Sequence, residues 1–262
     1  MALVPSIRLL GPVESVDQFG EALSMQMDFC TEAANNRRFR ANFADWDDVA
    51  FPEIVDSLSS RRVLTMSFID GTKVLDVERH THDPTRLAKL GFQILLKMVF
   101  EDGFVHADLH PGNIFVTADG TVVLLDLGLT ATLDDTHRQV FAQFFASWSQ
   151  RDAKTMARLM VEFSPGHSVH DYEAFEGDVA VFLERFLGKN LSEVGVSEVV
   201  FDMLRILQRH RIRANPNFTM CNIAIAVTEG IGRQLDDSLD LLSEAMPFFL
   251  RLQSERKLMP SA

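Results

Sequence analysis

Between Phe104 and Leu133, two short apolar runs, Ile114-Phe115-Val116 and Val122-Val123-Leu124-Leu125, flank the turn Ala118-Asp119-Gly120. An apolar run, an Asp-Gly turn and a second apolar run predict a β-hairpin. Polar residues gather at both of its outer ends. His106-Ala107-Asp108-Leu109-His110-Pro111-Gly112-Asn113 leads into the hairpin, and Asp126-Leu127-Gly128 leads out of it. Asp and Asn beside Pro-Gly commonly serve turns. Three of them at the open ends of a buried hairpin call for a common explanation, and chemistry supplies one.

The rest of the chain is mostly helical in pattern. Val16, Phe19, Leu23, Met27, Cys30 and Ala34 recur every three to four residues, which predicts one long helix from Val16 to Phe43. Residues 51–55 and 62–69 are short and rich in β-branched and aromatic types, so they predict two paired strands around a polar turn at 57–61. Asp83-Pro84 opens a helix by the cap-then-proline signal, with Leu87, Leu90, Ile94, Leu95 and Met98 on its buried face, and Asp102-Gly103 ends it. Further helices are expected near 135–150, 152–163, 171–188, 198–211, 217–234 and 238–254. The fold class is therefore α+β with a helical C-terminal half.

Composition narrows the function. Lys and Arg total 25 against 37 Asp and Glu, a net charge of −12 that argues against nucleic-acid partners. Two cysteines, Cys30 and Cys221, are too few for a disulfide framework and point to a reducing compartment. No apolar run approaches the roughly 20 residues of a membrane span, and Met1–Gly11 lacks the layout of a secretory signal. The expectation is a cytoplasmic protein, soluble or peripheral at a membrane.

The polar ends of the hairpin resemble the catalytic and magnesium loops of protein kinases, H-x-D-x-x-x-x-N followed after a hairpin by D-F-G. The chemistry fits the residue types. Phosphoryl transfer concentrates negative charge on the transferred group, and magnesium is a hard ion satisfied by a carboxylate, an amide carbonyl and waters. The resemblance implies ATP and Mg2+ as cofactors, Asn113 and Asp126 as metal ligands, Asp108 as general base, and His106 as a brace for the loop. A zinc or iron site built from His106, Asp108 and His110 is the alternative for that loop, but it leaves Pro111-Gly112-Asn113 and Asp126-Leu127-Gly128 unexplained.

Within kinase-like proteins, Met27-Asp28-Phe29-Cys30-Thr31-Glu32-Ala33-Ala34-Asn35, continuing to Phe39 and Phe43, resembles the E-x-D-(x)₃-E-A-x-N-(x)₃-F helix of the UbiB/ADCK (aarF-domain) family. Arg62–Gly71 is similar to that family's hinge strand, and Val227–Asp236 to its C-terminal helix. The likeness runs from about residue 13 to 250. It implies a protein-kinase-like fold: residues 1–70 as an incomplete N-lobe with an αC-type helix and two strands, and residues 71–262 as a largely helical C-lobe. It also implies Glu32 as the αC-type glutamate, Asp28 as the aspartate of the E-x-D pair, and the backbone of Met66, Ser67 and Phe68 as the adenine-binding hinge. The implied activity is that of an atypical kinase or ATPase linked to ubiquinone or isoprenoid-lipid metabolism, with nucleotide, an isoprenoid lipid or lipid-metabolism enzymes as partners.

The pattern also departs from the family. No lysine precedes Glu32, and the alanine-rich phosphate loop and the Lys-x-Gly-Gln helix are missing. Gln26 stands where the first glutamate of E-x-D is expected, and Ser67 where an acidic residue follows the hinge methionine. The resemblance thus implies an N-terminally truncated unit whose lysine would come from a further segment or a partner chain. Two other functions stay open on these residues: a nonenzymatic pseudokinase interaction module, and a small-molecule phosphotransferase of the aminoglycoside and choline kinase type.

Overall fold

The computed structural model describes residues 28–78, 81–162, 164, 169–186, 196–237 and 248. In chain order the elements begin with α1 (Phe29–Asn42), β1 (Val49–Ala50), β2 (Gly71–Lys73) and α2 (Pro84–Leu96). A π-helical turn at Lys97–Asp102 then leads to β3 (Phe104–His106), β4 (Ile114–Thr117), β5 (Val122–Leu124) and β6 (Thr130–Thr132). The helices α3 (Asp135–Gln150), α4 (Ala153–Glu162), α5 (Tyr172–Phe186), α6 (Val196–Arg209) and α7 (Pro216–Leu235) follow. The expected helix at 238–254 lies outside the described residues apart from Phe248. The mixture is α+β, as the patterning predicts.

The chain divides into two compact units, one comprising residues 1–76 and 111–130, the other residues 77–110 and 131–262. The first unit holds a four-stranded sheet in the order β1-β5-β4-β2. β4 and β5 form the expected hairpin, with Phe115 opposite Val123 and Val116 opposite Val122. β2 pairs antiparallel to β4, and β1 runs parallel to β5. Val49, Val116, Val122, Val123 and Leu124 are buried along this sheet, so its apolar content goes into the core.

Two expectations for this unit change in the structure. The helix does not run unbroken from Val16 to Phe43, because Asp28 has an extended backbone (φ −106°, ψ 93°) and caps α1. Its Oδ1 accepts the Cys30 N–H at 3.1 Å, an N-cap of ordinary type. The runs at 51–55 and 62–69 do pair antiparallel, with Val55 N–H donating to Thr65 O and Ser67 N–H to Glu53 O, both at 2.8 Å. They form isolated bridges at Ile54–Met66 and Ser60–Val63 in place of strands. Hydroxyl groups compete with the ladder there: Ser59 Oγ accepts the Thr65 N–H and donates to Val55 O, while Thr65 Oγ1 donates to Leu58 O.

The second unit begins with α2, capped by Asp83, whose side chain accepts the Thr85 N–H, with Pro84 in the first turn. Leu87, Leu90, Ile94 and Leu95 are buried on it, matching the sequence pattern. Near its end the helix widens, and Lys97 is buried with its Nζ 2.6 Å from Asp102 and 3.8 Å from Glu101. α2 and α7 are tied by Thr85 Oγ1 donating to Asp236 at 2.7 Å. α4, α5 and α6 enclose a core that includes Met156, Leu159, Phe175, Val179, Phe182 and Met203. Ion pairs join neighbouring helices, with Asp202 accepting from Arg185 and Asp178 from Arg209 and His210, while Arg205 pairs with Asp202 within its own helix. Among the described residues no helix is long and apolar enough to cross a membrane.

Gly103 decides how this unit enters β3. It takes a left-handed conformation (φ 57°), and a Cβ there would lie 2.3 Å from Leu133 O, the carbonyl of the residue whose own N–H donates to Gly103 O at 2.8 Å. Backbone occupies that space, so no rotamer change relieves the clash. Gly103→Ala should cost about 2–4 kcal/mol, read as a fall of several degrees in the thermal midpoint. A midpoint unchanged from the parent would refute this account of the turn.

Candidate functional site

In the first unit, the register of the hairpin brings the two expected metal ligands, Asn113 and Asp126, to one end. Pro111–Asn113 form a 3-10 turn leading into β4, and Asn113 is buried. Its carbonyl accepts the Leu125 N–H at 2.9 Å, one rung past the Ile114–Leu124 pair. Val74 N–H donates to Ile114 O at 2.9 Å, anchoring the same end to the β2 segment. Asn113 therefore stands opposite Leu125, next to Asp126.

Asp126 is exposed and has a left-handed backbone, φ 54°. That conformation costs a residue other than glycine on the order of 1 kcal/mol, and such outliers cluster at functional sites. Leu127 and Gly128 after it are buried. A Cβ on Gly128 would lie 3.6 Å from Asp126 Oδ1 and 3.7 Å from Glu32 Oε2, so the two carboxylates border the same small space.

Glu32 is buried on α1, one turn beyond the Asp28 cap. Burial pushes its carboxyl above the ordinary range, the nearby Asp126 charge pushes it further, and hydrogen bonding from the Leu127 backbone partly offsets both. Three residues on, Asn35 Nδ2 donates to Leu127 O at 2.8 Å. The helix that carries both is firmly seated: Asn36 Nδ2 donates to Pro52 O at 3.0 Å, and Phe39 stacks on Phe51 at 5.6 Å between centroids. Asn35 was not picked out as a site residue from the sequence. The readable signal was its i, i+3 spacing from Glu32, which puts two polar side chains on one helix face.

The other expected residues fall elsewhere. In the second unit, fully buried His106 accepts the Asp108 N–H on Nδ1 at 3.1 Å. That bond places the proton of the neutral ring on Nε2. His110 N–H donates to Asp108 O at 2.9 Å, and the Asp108 carboxylate is about half exposed, 4.0 Å from His110 Nε2. Asp28, besides capping α1, pairs through Oδ2 with Arg61 Nε at 3.1 Å. At the hinge, Met66 bridges Ile54, Ser67 exchanges hydrogen bonds with Glu53, and the Phe68 ring is 91% exposed.

The donors suit magnesium. Asn113 and Asp126 offer an amide and a carboxylate, the hard oxygen ligands that Mg2+ takes along with water. Among the described residues, no group of three or more His, Cys, Asp or Glu side chains could hold a metal ion, so the geometry offers nothing like the closed ligand set of a zinc site.

The model of the ABC1 atypical kinase-like domain matches residues 2–160, more than half of the chain. The chain belongs to this family. The UbiB helical domain matches residues 179–240, which include most of α5 and all of α6 and α7. Proteins named "Probable protein kinase UbiB" are similar along nearly the whole chain. The one from Erwinia tasmaniensis is 32% identical over 253 residues, covering 94% of this chain and 46% of its own length. The one from Vibrio atlanticus is 31% identical over 254 residues with the same coverage. The chain thus spans about half the length of the relatives it matches. Among solved structures, the Rv3197–erythromycin complex from Mycobacterium tuberculosis aligns with a TM-score of 0.59 at 18% identity, over 88% of this chain and 60% of that one. That likeness shows a shared kinase-like fold.

The raised Glu32 carboxyl has a consequence for stability. An acid whose pKa is higher in the folded than in the unfolded chain is bound to more protons when folded, so stability falls as pH rises from about the unfolded value through the folded one. Glu32→Gln removes that cost. The variant should melt above the parent at pH 8, with the gap closing toward pH 4. Equal melting temperatures at pH 8 would show that the buried carboxylate carries no net penalty.

Proposed function

We propose that this chain supplies the magnesium-holding and proton-accepting elements of an ATP-dependent, UbiB-type atypical kinase. The observation that supports this most is the pairing of Asn113 and Asp126 at one end of the hairpin, with Asp126 held in a left-handed conformation beside Glu32. A single carboxylate aimed by a strained backbone has little structural use, whereas Mg2+ would be held by such an oxygen ligand and would supply charge neutralisation there.

In this reading, Asp126 and Asn113 would hold Mg2+, which when bound neutralises charge on the phosphate oxygens. Asp108 accepts the proton of the attacking water or hydroxyl. His106 fixes the Asp108 backbone through Nδ1, and the carboxylate is partly exposed. The Ser67 amide is engaged by Glu53, which leaves the backbone of Met66 and Phe68 to meet the adenine edge and the exposed Phe68 ring to cover its face. Glu32, buried and next to Asp126, favours a cation in the space they share. The family resemblance gives that role to a lysine from another segment or chain. ATP hydrolysis in place of protein phosphorylation, and the link to ubiquinone or isoprenoid-lipid chemistry, rest on family membership.

Thermal melting with ATP and magnesium tests the reading. A nucleotide at about 100 times its dissociation constant stabilises by roughly 2.7 kcal/mol, which should raise the midpoint of a domain this size by about 5–10 °C. Asp126→Asn should abolish the magnesium-dependent part of the shift. Asp108→Asn should keep the shift and lower hydrolysis by about 10²- to 10⁴-fold. Magnesium-dependent binding with no hydrolysis in the parent would favour the interaction-module reading, and no shift at millimolar ATP would defeat the proposal for this chain.

A further inference from the structure

We infer that Asn35 is a positioning residue for the magnesium loop, acting through the Leu127 carbonyl; this deepens the functional reading above and rests on it. Residues 35 and 127 are far apart in sequence, yet Nδ2 and the carbonyl oxygen meet at 2.8 Å. One helical turn earlier, Glu32 lies near the same stretch, where a Cβ on Gly128 would be 3.7 Å from its Oε2. One face of a single helix thus borders the loop and bonds the carbonyl of the residue between Asp126 and Gly128. The Asn35 bond does not involve the Asp126 side chain, which is exposed.

The residue type follows from the surroundings. The position needs a donor short enough to reach the carbonyl from the helix. It must also be neutral, because Glu32 and Asp126 already set two carboxylates around one space, and a third acid would repel both. A lysine or arginine would compete with the cation that the site is built to take. A leucine fills similar volume and donates nothing, leaving a buried carbonyl unsatisfied. The helix beneath is fixed by Asn36 on Pro52 and by Phe39 on Phe51, so the Asn35 bond carries that rigidity into the loop. Its loss releases the left-handed state of Asp126 toward ordinary conformations that aim the carboxylate elsewhere.

Two measurements on the 262-residue chain test this, using Asn35→Ala and the shape-retaining Asn35→Leu. By hydrogen exchange without ligand, amides of residues 125–129 should exchange about 10-fold faster in both variants, as expected for one lost hydrogen bond to a part-buried carbonyl, while the hairpin amides of 114–124 keep parental protection. Unchanged exchange at 125–129 in Asn35→Leu overturns the inference whatever the nucleotide experiments show. By titration, the apparent magnesium constant for MgATP binding should weaken about 10-fold, with magnesium-free ATP binding within two-fold of the parent; a merely structural defect would lower both together. Asp126→Asn runs alongside. If it abolishes magnesium dependence and Asn35→Leu leaves it intact, the Asn35 role is wrong and the site reading stands. If Asp126→Asn leaves magnesium dependence intact, the site reading is wrong, and the exchange data alone decide whether Asn35 braces the loop.

Discussion

The bond from Leu125 N–H to the Asn113 carbonyl is the constraint on which the candidate site depends. A hairpin fixes register through its turn, and a slip of one residue would send every side chain to the opposite face. Here Gly120, with φ 87°, closes the turn, and the Thr117 carbonyl accepts its N–H at 2.9 Å. With Phe115 opposite Val123, the strands must end together at Asn113 and Leu125. Asp126 is the next residue, so its closeness to Asn113 is a product of strand pairing. In the proposed reading, the two oxygen ligands at the ends of one hairpin are brought together by a short ladder.

Electrostatics then sets what the site can accept. Glu32 is buried close to Asp126, and nothing in the sequence before Glu32 is a lysine. Burial and the nearby Asp126 charge raise the cost of ionising Glu32, and a cation is the physical remedy. The same reasoning explains the neutral amides nearby. Asn35 and Asn113 contribute a donor and an acceptor without adding charge, which keeps the site's appetite for cations from becoming an outright penalty on folding.

Much of this was legible in the sequence because it was written in short-range patterns. The hairpin, the Asp83-Pro84 helix start and the helical C-terminal half follow from turn residues and apolar spacing, and the described elements fall close to the expected limits. The misses share one cause. Asp28 reads as a charge on a continuous helix, yet its side chain binds the Cys30 N–H and pairs with Arg61, so a residue thirty-three positions away helps decide where the helix starts. The 51–55 and 62–69 runs read as strands, but Ser59 and Thr65 divert the backbone bonds that a ladder would use. Asn35 reads only as the asparagine of a family-like helix motif, with no role, because its partner, a carbonyl on Leu127, has no signature in composition or periodicity.

Both carboxylates central to the proposal are aimed by their own backbones. Asp126 owes its direction to a left-handed φ braced at Leu127, and Asp108 to an N–H bound by the buried His106 ring. A side chain positioned by contacts at its tip would have to break them to bind a ligand. One positioned through its main chain is already aimed before the ligand arrives, which limits reorganisation at the moment of reaction. That arrangement places strain and bracing in the loops and leaves the two carboxylates to the chemistry proposed above. It also explains why the supporting residues, Asn35, Gly103 and His106, are small, neutral or buried groups that never need to meet the substrate.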